Sequence, residues 1–350
     1  MLMERDDVKA DSRDDYGQTP LTCAAFQGHA RVANLLVNRY DVDADSKDNV
    51  GRTSLLLAAA RGHEDVVKLL LERDDVRADS RDNYGRTALA YAALQGEAGV
   101  VALLVKRNDV DADLMENNGR TPLSRAAALG HEDVVKLLLE RDDVRADSRD
   151  NYGRTALAYA ALQGEAGVVA LLVKRNDVDA DLMDNNGRTP LSWAAERGHE
   201  DVVKLLLEQD DVRADSKDND GRTAIAYAAL HGNAEVVKLL EKQNDVEPDS
   251  KDSDGGTAIS WAAARGSLRS SFMGVTSQCP PSRDIYTDIT EGLFLDQLPN
   301  ESQLLASAGS SSSLTQSSLN FVPSAFPLYI ESTTIQTHCL PTRERGRGHI

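Results

Sequence analysis

Gly17, Gly51, Gly85, Gly119, Gly153, Gly187, Gly221 and Gly255 stand 34 residues apart, and two residues after each comes a threonine, from Thr19 to Thr257. A spacing kept eight times without a slip is an internal repeat. It restricts the fold to an array whose units pack mainly on their own copies. Seven complete units run over residues 17–254, and an eighth begins at Gly255. Within the unit "GRTPLSWAAERGHEDVVKLLLE", Leu191, Ala194 and Ala195 fall at i, i+3 and i+4 and predict a short helix with one buried side. Pro190 suits its first turn, where the missing N–H would be unpaired anyway. Gly198 breaks the chain, and a second helix follows with a buried stripe of Val202, Val203, Leu206 and Leu207. Glu200 and Asp201 face its positive N-terminus, and Glu200 and Lys204 are spaced to pair at i, i+4. Helices of about ten residues are unstable alone in water, so each hairpin must stack on its neighbours. The paired alanines, from Ala24 and Ala25 through Ala262 and Ala263, allow that close approach.

The pattern G-R-T-P-L-x-x-A-A-x-x-G-H-x-x-V-V-x-L-L-L resembles the ankyrin repeat over residues 1–266. The resemblance implies an all-α solenoid of stacked helix-turn-helix units, with hairpin-like fingers projecting between units. Three departures stand out. The period is 34 rather than the usual 33. Gly-Ala-Asp after the second helix is replaced by "RDDV" or "RNDV", so Asn or Asp is expected to take the left-handed position there. The histidine after T-P-L is replaced by Thr22, Leu56, Ala90, Ser124, Ala158, Ser192, Ala226 and Ser260, which implies loss or partial replacement of its turn hydrogen bond.

A longer period lies over the first. Residues 62–124 and 130–192 are identical except for Glu116 against Asp184. Residues 1–16 read as a partial first repeat and 255–266 as a truncated eighth, which points to a fragment of a larger protein or misplaced chain ends. Residues 267–350 hold 15 Ser and 6 Pro without sustained periodicity and read as a disordered tail.

The formal charge of −18 is concentrated in residues 1–266, which carry 34 basic and 50 acidic side chains. A surface of that sign repels phosphate backbones, so nucleic acid is not an expected partner. No apolar run approaches the roughly 18 residues a membrane span needs, and the N-terminus has no signal-peptide pattern. Cys23, Cys279 and Cys339 are far apart and form no C-x-x-C pair, which fits reduced thiols in an intracellular setting, cytoplasmic with the nucleus open.

No residue constellation for catalysis emerges, and no cofactor or metal is expected. "HEDVV" at His63, His131 and His199 lacks the second histidine of a zinc helix. The carboxylates of "DDVRADSRD" lack a calcium-loop pattern and read as solvated finger charges or backbone caps. What remains is surface. The resemblance places ligand contacts along the fingers and the exposed side of the first helices. The corresponding fingertips are Tyr16, Val50, Tyr84, Asn118, Tyr152 and Asn186, with Asp220 and Asp254 beyond them. The corresponding helix positions are Phe26, Gln27, Arg61, Leu94, Gln95, Leu129, Leu162, Gln163, Glu196, Arg197, Leu230 and His231. A further variable position, occupied by Cys23, Leu57, Tyr91, Arg125, Tyr159, Trp193, Tyr227 and Trp261, is expected half-buried between units. The expected function is noncatalytic protein binding. A second expectation is a sensor or regulatory part of a larger signalling protein, because long uniform arrays of this kind resemble those appended to fungal NLR-like nucleotide-binding switches.

Overall fold

The computed structural model describes residues 9–270. Met1 to Glu4, and the expected tail from residue 271 onward, lie outside the described residues. Fifteen helices and no strand form among the described residues: α1 (Pro20–Phe26), α2 (Ala30–Val37), α3 (Ser54–Ala60), α4 (Glu64–Leu71), α5 (Ala88–Gln95), α6 (Ala98–Leu104), α7 (Pro122–Ala128), α8 (Glu132–Leu139), α9 (Ala156–Gln163), α10 (Ala166–Leu172), α11 (Pro190–Arg197), α12 (Glu200–Leu207), α13 (Ala224–His231), α14 (Ala234–Leu240) and α15 (Ala258–Ser270). Odd-numbered helices pack on one another in chain order, and so do even-numbered ones. Each odd helix also packs on the even helix that follows it, from α1 with α2 to α13 with α14. The array therefore has two helical layers. The last helix continues to Ser270, past the glycine at 266 where the eighth unit was expected to stop.

Local chemistry sets the helix ends. Thr189 is extended (φ −86°, ψ 161°), and its side chain accepts a hydrogen bond from the Ser192 N–H at 3.2 Å, with Pro190 in the first turn. Thr19, Thr53, Thr87, Thr121 and Thr155 cap their helices in the same way. The hydroxyls in the missing histidine's place restore a turn bond: Ser124 accepts from the Thr121 N–H at 3.0 Å and donates to the Thr121 carbonyl at 2.9 Å, completing a capping box. Gly198 closes α11 at φ 76°, a left-handed conformation that a Cβ would strain.

The inner helices depart from the expected one-sided burial. In α11, Pro190, Leu191, Ser192, Trp193, Ala194 and Ala195 are all buried, because inner helices flank it on both sides and α12 covers its back. The outer helices keep one face to solvent. Val202, Val203 and Leu206 are buried while Leu207 is only partly covered, so the buried stripe is one residue narrower than its sequence implies. Lys204 pairs with Asp201 at 3.1 Å rather than with Glu200.

The "RDDV" segment needs no left-handed residue at the helix end, since the cap of α4, Glu72, is right-handed. Its arginine takes over. Arg107 holds the Asp109 carboxylate through Nε and Nη2 at 2.8 and 2.7 Å, and its Nη1 donates to the Leu71 carbonyl of the preceding unit at 3.1 Å. Arg141 and Arg175 repeat this with Val105 and Leu139. Unpaired carbonyls at the ends of α4, α6 and α8 thus gain a donor from the next unit, whereas Gln209 and Gln243, in the arginine's place, bond back to Leu205 and Leu239 of their own helices.

The fingers form a continuous ladder. The backbone N–H of Asn83 donates to the Val50 carbonyl at 2.9 Å, and those of Asn117, Asn151 and Asn185 donate to Tyr84, Asn118 and Tyr152. The Asn117, Asn151 and Asn185 side chains donate to the carbonyls of Asn83, Asn117 and Asn151 at 3.0 to 3.1 Å.

A column of aspartates also joins the units. Asp45 and Asp113 accept from Ser80 and Ser148, and Asp79 and Asp147 accept from the Asp111 and Asp179 N–H groups. Asp181 accepts from Ser216 at 2.9 Å. Burial raises the pKa of Asp45, Asp79, Asp113 and Asp147, and pushes Asp181 up to about 6. Groups with raised folded pKa values give stability that is complete below their unfolded value and lost as pH rises through the folded one. Asp75, Asp109, Asp143 and Asp177 are held below the ordinary range by their arginines and stay ionised near neutrality. The melting temperature is therefore expected to rise as pH falls from about 7.5 to about 5.5, and Asp181→Asn to flatten that rise. Thermal melts followed by circular dichroism check this, and an unchanged slope in the variant would contradict it.

Candidate interaction surface

The fingertips rest on a buried layer. Asp82 is buried; its Oδ1 accepts from the Tyr84 and Arg86 N–H groups at 2.9 and 2.8 Å, and its Oδ2 accepts from the Tyr91 hydroxyl at 2.8 Å. One carboxylate thus shapes the finger and anchors the inner helix. The pairing recurs nine residues apart: Asp150 with Tyr159, Asp184 with Trp193, Asp218 with Tyr227 and Asp252 with Trp261. Burial pushes the Tyr159 and Tyr227 hydroxyls up to about 12 and raises Tyr91 as well, so these groups remain donors at neutral pH. Most of the variable inner-helix position is fully buried rather than half-buried, as Tyr91, Arg125, Tyr159, Trp193 and Tyr227 show. The carboxylates of this layer are backbone caps, not solvated finger charges.

The arginines that follow the finger glycines at 120, 154, 188 and 222 reach into the following unit, while Arg86 stays with Asp82, Tyr84 and Tyr91 of its own. Arg120 Nε donates to the Tyr159 hydroxyl at 3.0 Å, with its guanidinium 4.5 Å from the ring centre. Arg154 lies 4.8 Å over Trp193, and Arg188 lies 4.0 Å over Tyr227. Arg120, Arg154 and Arg188 are buried, so cation–π contact and the nearby carboxylates compensate charges that would otherwise be costly inside a protein.

This layer explains the one difference between the duplicated blocks. Where Asp184 meets Trp193, Glu116 meets Arg125: Arg125 Nε donates to Glu116 Oε1 at 2.9 Å, and Nη2 holds the second oxygen. A carboxylate engaged by this fork no longer caps the finger. Asn118 Oδ1 accepts from the Arg120 N–H at 3.1 Å instead.

Above the layer, Tyr16, Tyr84 and Tyr152 are 44%, 57% and 43% exposed. Tyr84 and Tyr152 lie against the guanidinium of their own units' Arg86 and Arg154, at 4.6 and 5.4 Å. Asn186 is exposed, and Val50 and Asn118 are partly covered. On the inner helices, Gln27, Arg61 and Arg197 are exposed, while Gln95, Leu129, Gln163, Glu196, Leu230 and His231 are partly covered. Phe26, Leu94 and Leu162 are only 7%, 8% and 2% exposed, contrary to the exposure expected for them. Arg61 covers the Phe26 ring at 4.3 Å. The next unit's histidine also closes over this turn: His63, His131 and His199 Nε2 bond to the carbonyls of Phe26, Leu94 and Leu162 at 3.0 to 3.2 Å. A Cβ on Gly28 would lie 2.6 Å from the His63 ring, so glycine there admits the contact. These histidines tie units together.

Glu196 forms an ion pair with Arg188 and lies 3.8 Å from His231, a charged group where other units carry Phe, Leu or Ala. Among the described residues, no three His, Cys, Asp or Glu side chains converge to hold a metal ion. No helix among them is long and apolar enough to cross a membrane.

The family model for ankyrin repeats (3 copies) matches in overlapping stretches, residues 32–113, 75–148, 101–181, 143–218, 167–252 and 211–270. The chain belongs to the ankyrin repeat family. No curated protein matches the chain significantly. Ankyrin repeats are in general protein–protein interaction modules, and in this ankyrin array the buried layer sets the positions of the exposed side chains.

Arg125→Ala strips a buried carboxylate of its fork and is expected to cost about 3–5 kcal/mol locally. Combining Glu116→Asp with Arg125→Trp copies the Asp184–Trp193 pair and should recover most of that loss. Urea denaturation of the two variants beside the parent chain decides the point, and equal stability of all three would contradict the assignment.

Proposed function

We propose that this ankyrin array is a noncatalytic binding module that takes a protein partner along its fingertips and the exposed last turns of its inner helices. The contact row comprises Tyr16, Val50, Tyr84, Asn118, Tyr152 and Asn186 on the fingers. On the inner helices it comprises Gln27, Arg61, Gln95, Leu129, Gln163, Glu196, Arg197, Leu230 and His231. The observation that carries this reading is the exposure of Tyr16, Tyr84 and Tyr152 on fingers whose backbone is fixed by a buried layer. Aromatic side chains dominate binding hot spots because they offer large contact area at small entropic cost. Rigid presentation lowers the cost of ordering the surface further.

The row is chemically varied although the framework beneath it hardly changes. Tyrosine alternates with Val, Asn and Asp at the tips, while Leu, Gln, Arg, Glu and His share the helix positions. Such variation lets single substitutions alter the partner without disturbing the core. The excess of acidic side chains disfavours nucleic acid along the same surface.

Partner capture with the full chain, beside a Tyr84→Ala/Tyr152→Ala variant, tests the reading. The double variant is expected to lose about tenfold or more in affinity for the captured protein, with unchanged helix content. Undiminished affinity would exclude the fingertips as the contact row. A sharp fall in melting temperature would instead assign the tyrosines to the framework.

A further inference from the structure

Two fingers carry the same eight residues, Asn-Asn-Gly-Arg-Thr-Pro-Leu-Ser, at 117–124 and 185–192. Each contains an Asn-Gly pair, and glycine places no side chain in the way when its backbone nitrogen turns on the preceding carboxamide. The two pairs are held differently. Asn118 Oδ1 accepts from the Arg120 N–H at 3.1 Å, and Asn118 is partly covered. At the other finger Asp184 Oδ1 accepts from both the Asn186 and Arg188 N–H groups, at 2.8 and 3.0 Å. The exposed Asn186 carboxamide is left without a hydrogen bond among the described residues. The glycines do not distinguish the sites, since the Gly119 and Gly187 N–H groups both donate across their turns at 2.9 Å.

We propose that Asn186 is a site of spontaneous deamidation and that Asn118, with an identical local sequence, is protected by its capping bond. In the reaction the Gly187 nitrogen, having lost its proton to solvent, attacks Asn186 Cγ. A nitrogen–carbon bond forms, the bond from Cγ to the side-chain nitrogen breaks, and that nitrogen leaves as ammonia. Water then opens the resulting succinimide to aspartate or isoaspartate. One water enters for each ammonia released, and nothing is oxidised or reduced. The product carries a new negative charge at a fingertip position where Asp220 and Asp254 already stand in later units. Isoaspartate would also add a methylene to the tip backbone, next to the Asn185 rung of the ladder. The modification thus alters both charge and shape on the exposed row, and its chemistry does not depend on whether that row binds a protein.

Trypsin releases the two sites as residues 108–120 and 176–188, peptides that differ only at Glu116 against Asp184 and are therefore resolved by mass. The folded full chain is aged at mildly alkaline pH, sampled over days and digested, with the chain in urea as a parallel control. In the folded chain the acid form of the 176–188 peptide is expected to accumulate about fivefold faster than that of 108–120, the factor given by one net hydrogen bond of ~1 kcal/mol. In urea the two rates should coincide. Glu116→Asp combined with Arg125→Trp supplies the short carboxylate and the aromatic that cap the finger at 184, and should raise the Asn118 rate toward that of Asn186. Because the two tryptic peptides are then identical, this variant is cleaved after lysine alone, into residues 107–136 and 175–204, which still differ at Ala128 against Glu196 and Leu129 against Arg197. Equal rates in the folded chain, faster loss at Asn118, or no acid at either site while the urea control reacts, would each overturn the proposal. Should the variant not fold, the comparison within the parent chain still decides.

Discussion

No unit of this chain can hold its shape by itself. Its helices are seven or eight residues long up to α14, below the length at which a helix survives in water, so each depends on side chains and donors supplied by the next unit. The supply is specific. Arg107 pairs with the carbonyl that ends α4, His63 with the end of α1, and Asn83 with the preceding finger. Hydrophobic stacking of Leu55, Leu89, Leu123 and their equivalents provides the bulk of the attraction. The polar links fix the register at which the units stack.

The second consequence concerns the buried carboxylates. A polar group inside a protein is costly unless its bonds are complete, and one half-satisfied network is worse than none. Asp82, Asp150 and Asp184 meet that requirement by serving two elements at once, the finger backbone and the inner-helix aromatic. Glu116 shows how tightly the requirement binds. Its partner is Arg125 rather than an aromatic, its side chain is one methylene longer, and the finger cap passes to Asn118. The identity of a fingertip side chain's neighbour is thereby linked to a residue buried on the inner helix.

Much of the architecture was legible in the residues. The glycine and threonine spacing marks the units, Pro190 and Thr189 mark a helix start, and Val202, Val203 and Leu206 mark an outer helix. The burial of Trp193, Phe26, Leu94 and Leu162 was not legible, because periodicity within one unit reveals the side facing its own hairpin and not the sides closed by flanking units. The arginine of "RDDV" was not legible as a clamp on the preceding helix end either, because its acceptor is a carbonyl of another unit. A register comparison could have found it, since an aspartate follows it by two residues in unit after unit. The same comparison exposes the carboxylate nine residues before each variable inner-helix position, and with it the joint change of Glu116 and Arg125. The bare Asn186 carboxamide had no such signal, because its local sequence equals that of Asn118.

The central claim is that neighbouring units hold both the helices and the fingers, and native-state hydrogen exchange on the full chain tests it most directly. The finger N–H groups of Asn83, Asn117, Asn151 and Asn185, each bonded to the preceding finger, are predicted to exchange as slowly as inner-helix amides of the same units. Exchange of these amides at the rate of an unfolded chain, beside protected helices, would show that the fingers are not held by their neighbours and would contradict the account.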